Sequence, residues 1–252
     1  MKRLDGKVAI VTGAGQGIGR GIALVLAREG ARVAIVDINP ETAASTAKEI
    51  EARGGHAIGI RCDVGVRAEA DTAISAVAKA FGTIDILVND AQRIIGEINL
   101  EDMTDDVVHQ SMQSGFMGTF YFMQGCFPYL RAHGGKIVNV GSAAGTEGMM
   151  RWGAYASTKE AIRAITRVAA KEWGKYNINV NAIWPASMTP AIEIWMKTNP
   201  DVFKASLAHM PLGRYGDPEN DIAPVVLALV SPDFNYVTGQ TIMVDGGAAM
   251  LR

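Results

Sequence analysis

The chain has 252 residues, of which 48% are hydrophobic and 20% charged, which fits one large α/β domain with a substantial core. A formal net charge of −2 offers no electrostatic basis for binding nucleic acid or an anionic membrane. The two cysteines cannot form a disulfide framework, and no metal site is predicted. Neither a targeting peptide nor a run of about 18 apolar residues is present, so we expect a cytoplasmic protein.

Short apolar runs alternate with longer helical patterns along the chain. Most runs are continuously apolar, which is typical of strands that helices cover on both faces. This alternation predicts a Rossmann-type, doubly wound parallel sheet of about seven strands in one α/β domain, residues 1–252. The predicted strands are residues 8–11, 32–36, 56–60, 84–88, 136–140, 178–183 and 241–244.

A glycine-rich turn follows the first predicted strand and opens the first predicted helix. Glycines let a backbone turn tightly and approach a pyrophosphate, whose charge is favoured at a helix N-terminus. The pattern differs from the common G-x-G-x-x-G, because an isoleucine takes the place of the last glycine. A turn with spare glycines is the alternative. The predicted cofactor residues here are Thr12, Gly13, Gln16, Gly17, Ile18 and Gly19.

Asp37 stands at the end of the second predicted strand. A carboxylate there can accept hydrogen bonds from both ribose hydroxyls of NAD, and it would repel the extra phosphate of NADP. Neither Gln16 nor Ile38 supplies a basic side chain to offset that repulsion, so we predict NAD as the cofactor. Asp37 could instead shape the following turn. Asp63, after the third strand, could contact adenine or cap the next helix.

Tyr155 and Lys159 stand four residues apart on a predicted helix and therefore share one face. A free tyrosine titrates near pH ~10, and a neighbouring positive charge is expected to lower that pKa. Ser142 adds a hydroxyl that can hold a carbonyl or alcohol oxygen. The spacing alone is common on helix surfaces, but together with the glycine turn it indicates proton transfer beside a nucleotide.

These motifs resemble the short-chain dehydrogenase/reductase family over nearly the whole chain. The resemblance implies that Ser142, Tyr155 and Lys159 occupy the catalytic positions. Ser142 would orient the substrate oxygen, Tyr155 would transfer the proton, and Lys159 would lower the pKa of Tyr155 and bind the nicotinamide ribose. Besides Tyr155 and Lys159, the resemblance adds as cofactor residues Asp63, Val64, Asn89, Ala91, Pro185 and Thr189.

The chain departs from the family pattern after its fourth strand. The family's Asn-Asn-Ala-Gly reads Asn89-Asp90-Ala91-Gln92 here. We expect the Asp90 carboxylate to be stabilised by backbone N–H groups or to titrate unusually. Gln92 replaces a glycine close to the cofactor, so either the backbone shifts or the side chain enters the site.

A second departure is Gly115, which stands where the family has a catalytic asparagine that anchors a relay water. Glycine inside a helix costs about 1 kcal/mol against alanine, so we expect a space or a bend there. The Gly115 carbonyl, a water, Ser114 or Gln113 could take over, which would leave a rerouted relay in an active enzyme. A milder change is Ala186, which replaces the glycine after Pro185.

Residues 186–215 are too apolar for a solvated loop and predict a substrate-loop insert of small helices over a pocket. A large methionine- and tryptophan-rich surface favours a hydrophobic, cyclic or aromatic secondary alcohol or its ketone. For each predicted lining residue, a core or subunit-contact role is the alternative. These residues are Ile94, Ala144, Met149, Trp152, Trp184, Met188 and Trp195.

The function expected from sequence is therefore an NAD-dependent oxidoreductase acting on a small hydrophobic alcohol or ketone. An NAD-binding sensor or structural subunit with weak catalysis, or a non-redox enzyme of the same fold, remain as alternatives. Family analogy also leads us to expect a homotetramer built through the helices around 115–123 and Tyr155.

Overall fold

The protein is described by a computed structural model covering residues 2–250. In this range seven parallel strands form one sheet in the order β3-β2-β1-β4-β5-β6-β7. The strands are β1 Val8–Thr12, β2 Arg32–Asp37, β3 His56–Arg61, β4 Ile86–Asn89, β5 Gly135–Val140, β6 Ile178–Pro185 and β7 Thr241–Val244. The predicted fold class is confirmed, with strand ends shifted by one or two residues.

Helices connect the strands and cover both faces of the sheet. They are α1 Gly17–Arg28, α2 Pro40–Ala52, α3 Arg67–Phe81, α4 Asp105–Met112, α5 Gly118–His133, α6 Gly153–Trp173, α7 Pro190–Thr198, α8 Pro200–Ala208 and α9 Ala223–Val230. One apolar core joins α1, α2 and α9 to the sheet, and a second joins α3, α5 and α6 to the opposite face. The continuous apolar runs reflect this two-sided burial.

The strand order reverses between β1 and β4, and these two strands pair with each other in parallel. In a doubly wound sheet, a crevice opens at the carboxyl ends of the strands at such a reversal. The register sets Thr12 opposite Asn89, and Asn89 opposite Asn139 of β5. The segments that carry the predicted site therefore leave neighbouring strands at the same edge.

Helix α4 runs into α5 through a π-helical turn, Gln113–Met117, with Gly115 at its centre. The regular α-helical hydrogen bonding is thus interrupted at this glycine. Residues 186–215 contain the two short helices α7 and α8. In that region Trp195 packs edge-on against Phe203, and Phe203 stacks on Tyr215 at 5.5 Å. Across residues 2–250, no helix combines the length and apolar character needed to cross a membrane.

Candidate active site

The glycine turn is built by close backbone approaches. Gly13 has a φ of 65°, and a Cβ on it would lie 2.9 Å from the backbone of Ala91. A Cβ on Gly19 would lie 2.5 Å from the carbonyl oxygen of Gly13. Gln16 is the N-cap of α1 without a side-chain capping bond, and the first turn holds no acidic residue. The N-terminal N–H groups of α1 are therefore free of a competing carboxylate from their own helix, which favours an anion there.

Asp37 holds its carboxylate at the carboxyl end of β2. Its Oδ2 accepts a hydrogen bond from the Gly15 N–H at 2.9 Å, and its Oδ1 accepts one from Asn39 at 3.0 Å. The second bond shows that Asp37 also shapes the following turn. A carboxylate has about four acceptor positions, so lone pairs remain for a ligand. The adjacent Ile38 side chain is largely exposed.

Asp63 shapes the turn after β3 rather than capping the next helix. Its Oδ1 accepts a hydrogen bond from the Gly65 N–H at 2.9 Å, and α3 begins after Val66 as its N-cap. Glu69 accepts a hydrogen bond from the backbone N–H of Asp63. The helix-capping alternative is therefore wrong, and the predicted adenine contact stays a prediction.

Thr12 and Asn89 support the site from behind. The Thr12 hydroxyl oxygen accepts hydrogen bonds from the N–H groups of Asp90 at 3.1 Å and Ala91 at 3.2 Å. Asn89 donates to Asn139 at 2.9 Å, and Asn139 donates to Thr166 of α6, also at 2.9 Å. This buried chain of amides ties α6 to β4 and β5. Asn89 is turned into the protein, away from the place expected for a cofactor contact.

The Asp90 carboxylate shows both properties expected for it. Its Oδ2 accepts a hydrogen bond from the Gly19 N–H at 2.9 Å. Burial is the largest effect on its pKa, which rises to about 6, while the charge of Lys159 and the Gly19 hydrogen bond act in the opposite direction. Asp90 therefore titrates within reach of neutral pH, inside the site.

Tyr155, Lys159 and Ser142 come together where α6 meets the end of β5. The Ser142 hydroxyl lies near enough to the Tyr155 phenol to lower its pKa, and the Lys159 ammonium nitrogen lies 5.5 Å from the centre of the tyrosine ring. Lys159 donates to the carbonyl oxygen of Val140 at 2.6 Å. Burial lowers the pKa of Lys159 to about 8.

The prediction that Lys159 lowers the pKa of Tyr155 is wrong for this arrangement. Burial is the largest effect and raises the pKa of Tyr155, the hydrogen bond from Ser142 lowers it, and the charge of Asp90 raises it. Lys159 is directed at the Val140 carbonyl instead of the phenol oxygen. The four-residue spacing places Tyr155 and Lys159 on one face of the helix. It does not determine the direction of the Lys159 ammonium group, because that group also has the Val140 carbonyl as a hydrogen-bond partner.

One cavity of about 710 Å³ connects the predicted nucleotide site, at the glycine turn and Asp37, with the catalytic residues Tyr155 and Lys159. It reaches from the end of β2 to the catalytic positions on α6. Three predicted cofactor residues, Thr12, Gly19 and Asn89, lie outside its lining. The predicted cofactor residues that line it are Gly13, Gln16, Gly17, Ile18, Asp37, Ile38, Asp63, Val64, Ala91, Tyr155, Lys159, Pro185 and Thr189.

Most residues predicted to line a substrate pocket lie elsewhere. Ile94 lines the cavity, whereas Met149 lines a second cavity of about 420 Å³. Trp184 of β6 is 2% exposed and has the Arg163 guanidinium over its ring at 5.6 Å. An apolar residue on a central strand is more readily buried in the core than exposed to a ligand.

The remaining predicted pocket residues have packing roles. Ala144 is buried, and Trp195 packs on Phe203. The Met188 backbone N–H donates to the carbonyl oxygen of Gly216. Trp152 packs edge-on against the Tyr155 ring at 5.6 Å, and the Ala144 backbone N–H donates to the Ser142 hydroxyl at 3.1 Å, so these two contact catalytic positions.

The two side chains suggested as substitutes for the missing asparagine already have hydrogen-bond partners. Gln113 donates to the Gly65 carbonyl oxygen. Ser114 donates to the Gln110 carbonyl oxygen and accepts from the Arg93 N–H at 3.1 Å. The space expected beside Gly115 is filled by Thr158 and Gln92.

The sequence interpretation missed several cavity residues that lie just after a strand or near a helix end. No residue type stands out at these positions, and their place in the chain is the only signal they share. These residues are Cys62, Gly65, Val66, Gln110, Val140, Gly141, Pro190 and Ala191. In the described part of the chain, no cluster of three or more His, Cys, Asp or Glu side chains suits a metal ion.

Similarity to known proteins agrees with this geometry. A family profile described as enoyl-(acyl carrier protein) reductase matches residues 13–249. The chain is 40% identical to a 12α-hydroxysteroid dehydrogenase from a Clostridium species, covering 96% of both chains. The chain belongs to the short-chain dehydrogenase/reductase family.

Two further members of this family show its range. A 3-oxoacyl-[acyl-carrier-protein] reductase from Thermotoga maritima is 36% identical, with 97% of this chain and 98% of the relative covered. A solved 7α-hydroxysteroid dehydrogenase, in complex with NADH and 7-oxo glycochenodeoxycholic acid, has a TM-score of 0.92 and 36% identity. The match covers 97% of this chain and 95% of that one.

Proposed function

We propose that this short-chain dehydrogenase/reductase is an NAD(H)-dependent oxidoreductase that interconverts a hydrophobic cyclic secondary alcohol and its ketone. The observation that carries the proposal is that Tyr155 and Lys159, next to Ser142, line the same cavity as Asp37. A proton-transfer group and a nucleotide-type site thus open into one space. Proton transfer by a positioned side chain contributes typically about 10²–10⁴-fold to a rate.

The residues around the cavity fit a dinucleotide. The N-terminus of α1, where Gln16 makes no side-chain capping bond and Asp90 accepts from the Gly19 N–H, suits a pyrophosphate at Gly17 and Ile18, which line the cavity. The Asp37 carboxylate, at the end of β2, has lone pairs left that can accept hydrogen bonds from the ribose hydroxyls. Pro185 and Thr189 line the part of the cavity contributed by the segment after β6.

The preference for NAD over NADP rests on charge. The cavity residues from β2 and from the glycine turn include the carboxylate of Asp37 and no lysine or arginine. A phosphate on the 2′ oxygen would meet that carboxylate without a cation to offset the repulsion.

When bound, the nicotinamide accepts or supplies the hydride. The chain's own residues handle the oxygen and the proton. Ser142 holds the substrate oxygen beside Tyr155, which donates its phenol proton in ketone reduction and accepts a proton in alcohol oxidation. Lys159, with a pKa of about 8, is mostly protonated at neutral pH and supplies a positive charge to the site.

The proposal of a cyclic apolar substrate rests on the apolar surface near the cavity and on the relatives. Ile94, at the cavity, and Met149 and Leu100, at the second cavity, are large apolar residues that remain exposed. A 12α-hydroxysteroid dehydrogenase and a 7α-hydroxysteroid dehydrogenase are among the similar proteins. The acyl-carrier reductase relative makes 3-oxoacyl thioesters the competing substrate class.

We further propose a homotetramer. Phe116 and Phe120, around the start of α5, and Val168 on α6 leave apolar surface partly exposed on the helices that family analogy assigns to subunit contacts. Light scattering on the purified protein tests this, and a monomer at micromolar concentration would contradict it.

A substrate screen tests the proposed activity. NADH fluorescence would be followed over hydroxysteroid ketones, small alicyclic ketones and 3-oxoacyl thioesters, each also with NADPH. We expect the highest kcat/KM with NADH and a cyclic ketone. Preference for 3-oxoacyl thioesters would contradict the substrate, preference for NADPH would contradict the cofactor, and tight NADH binding without any turnover would favour the sensor alternative.

A further inference from the structure

Gly115 sits against two side chains that leave no room for another. A Cβ on Gly115 would lie 2.4 Å from Cγ2 of Thr158 and 3.0 Å from the amide carbon of Gln92. Contacts under 3.0 Å essentially never occur for a real Cβ, so a larger residue here would displace Thr158 or Gln92. The side chains of Gln92 and Thr158 therefore require a glycine at position 115.

The Gln92 amide is buried beside the catalytic machinery without hydrogen-bond partners. Within residues 2–250, neither its Oε1 nor its Nε2 has one. An amide offers an acceptor oxygen and two N–H donors, and leaving them unpaired in a buried place is costly. Gln92 lines the cavity that Lys159 also lines, and an ordered water is a common partner of a buried amide that has no hydrogen bond within the protein.

The surrounding contacts hold Gln92 in this place. The backbone N–H of the next residue, Arg93, donates to the Ser114 hydroxyl, which ties the segment after β4 to the π-helical turn. Thr158 is fully buried, hydrogen-bonds Ser111 at 3.0 Å and immediately precedes Lys159. The Gln92 amide and Thr158, the residue next to the catalytic lysine, therefore both pack against the π-helical turn at Gly115.

We propose that Gln92 is a positioning residue of the active site: its amide occupies the space in front of Gly115 and holds water for proton transfer through Lys159. Gly115 and Gln92 then form a compensating pair, in which an amide reaches the site from the β4 segment instead of from the helix. This inference rests on the proposed function, because it assigns a role within that reaction.

The orientation of the amide favours water over the cofactor as its partner. The amide carbon and the Nε2 atom of Gln92 lie 3.0 and 3.2 Å from the position that a Cβ on Gly115 would take. The Gln92 amide is therefore directed at the π-helical turn. Both polar atoms are buried, which suits a small partner better than a large ligand. Loss of the amide should therefore change turnover and its pH dependence more than the affinity for NADH.

The matched substitution is Gln92→Met, which keeps the length and volume of the side chain but removes the amide. We expect kcat to fall about tenfold, the pH profile of kcat to shift, and the Kd for NADH to change less than about twofold. Gln240→Met, at an exposed glutamine beside β7, is the control and should leave all three unchanged.

A second set of variants moves the amide back to the helix. Gly115→Asn alone should unfold readily or lose activity, because its side chain meets Thr158 and Gln92. Combining it with Gln92→Ala and Thr158→Ser makes room and retains the hydroxyl at 158. We expect this triple variant to recover most of the kcat that Gln92→Ala loses, a non-additive result that a space-filling role would not produce.

Each outcome is decisive. If wild type shows no turnover on any ketone, the proposed function fails and this inference fails with it. If wild type is active and Gln92→Met matches it in kcat and pH profile, Gln92 only fills space and the inference alone is overturned. If Gln92→Met changes only the Kd for NADH, the amide binds the cofactor, which also overturns the inference.

Discussion

The Oδ2 atom of Asp90 accepts a hydrogen bond from the backbone N–H of Gly19 at 2.9 Å, which joins the end of β4 to the first turn of α1. A Cβ on Gly19 would lie 2.9 Å from the same oxygen, so the glycine permits the contact. The cavity thus has a buried carboxylate between its nucleotide half and its catalytic half.

The stability of the protein should depend on Asp90 between about pH 4 and pH 6. The pKa of Asp90 is raised from 3.8 to about 6, so in this window the folded chain holds the proton more tightly than the unfolded chain. The free energy of unfolding contributed by this group therefore falls as pH rises through the window. Asp90→Asn keeps an acceptor for Gly19 and removes the buried charge.

Relative to wild type, Asp90→Asn should gain about 1–3 kcal/mol in the free energy of unfolding above pH 6 and little near pH 4. Urea unfolding of both proteins at a series of pH values measures this. Asp5→Asn, at an exposed aspartate, is the control. A difference between Asp90→Asn and wild type that does not change with pH would contradict the assignment.

The same substitution should move the pH profile of activity. The charge of Asp90 raises the pKa values of both Lys159 and Tyr155. Without that charge, the pKa of Tyr155 is lower, and the pKa of Lys159 falls below its present value of about 8. Both limbs of kcat/KM for alcohol oxidation should therefore shift to lower pH in Asp90→Asn, since kcat/KM reports groups of the free enzyme. Unchanged limbs would show that Asp90 does not interact with the catalytic pair.

Cofactor choice should depend on Asp37. The double variant Asp37→Ala, Ile38→Arg removes the carboxylate at position 37 and adds a positive charge at the neighbouring, exposed position 38. The ratio of kcat/KM for NADPH to that for NADH should rise by about tenfold or more, because a change of 1.4 kcal/mol in binding is already tenfold. Steady-state kinetics with both cofactors measures it, and an unchanged ratio would place the ribose contact elsewhere.

The buried amide chain behind the site should stabilise the fold. Asn139→Ala removes the partner of the Asn89 amide at 2.9 Å and one donor to the Thr166 hydroxyl, which still donates to the Ile162 carbonyl oxygen at 2.8 Å. A buried polar group left unpaired, here the Asn89 amide, costs about 1–3 kcal/mol, so the free energy of unfolding should fall by about that amount. Urea unfolding checks this against Asn235→Ala, an exposed position. A loss no larger than in that control would contradict a stabilising role.

The sheet could be predicted from sequence because two-sided burial leaves continuous apolar runs, and a parallel sheet brings strand ends to one edge. The sequence therefore predicts Asp37, Tyr155 and Lys159 at one site, and all three line the same cavity. The depth of burial could not be read in the same way. Tyr155 and Lys159 share a helix face as expected, but burial raises the pKa of one and lowers that of the other.

Residues of the substrate pocket were the least predictable. A tryptophan on a buried strand and a tryptophan beside a catalytic tyrosine have the same apolar signature, yet Trp184 is enclosed and Trp152 contacts Tyr155. The contact between Gln92 and Gly115 depends on a π-helical turn and a crossing of two segments. Neither departure from the family pattern, taken alone, indicates the other.

The most direct test of the proposed activity is turnover by Tyr155→Phe beside wild type. This variant keeps the ring that packs on Trp152 and removes the hydroxyl beside Ser142. With NADH and the best ketone from the substrate screen, kcat should fall by about 10²–10⁴-fold while the Kd for NADH stays within about twofold. Equal kcat in Tyr155→Phe and wild type would contradict the assignment of Tyr155 as the proton-transfer residue.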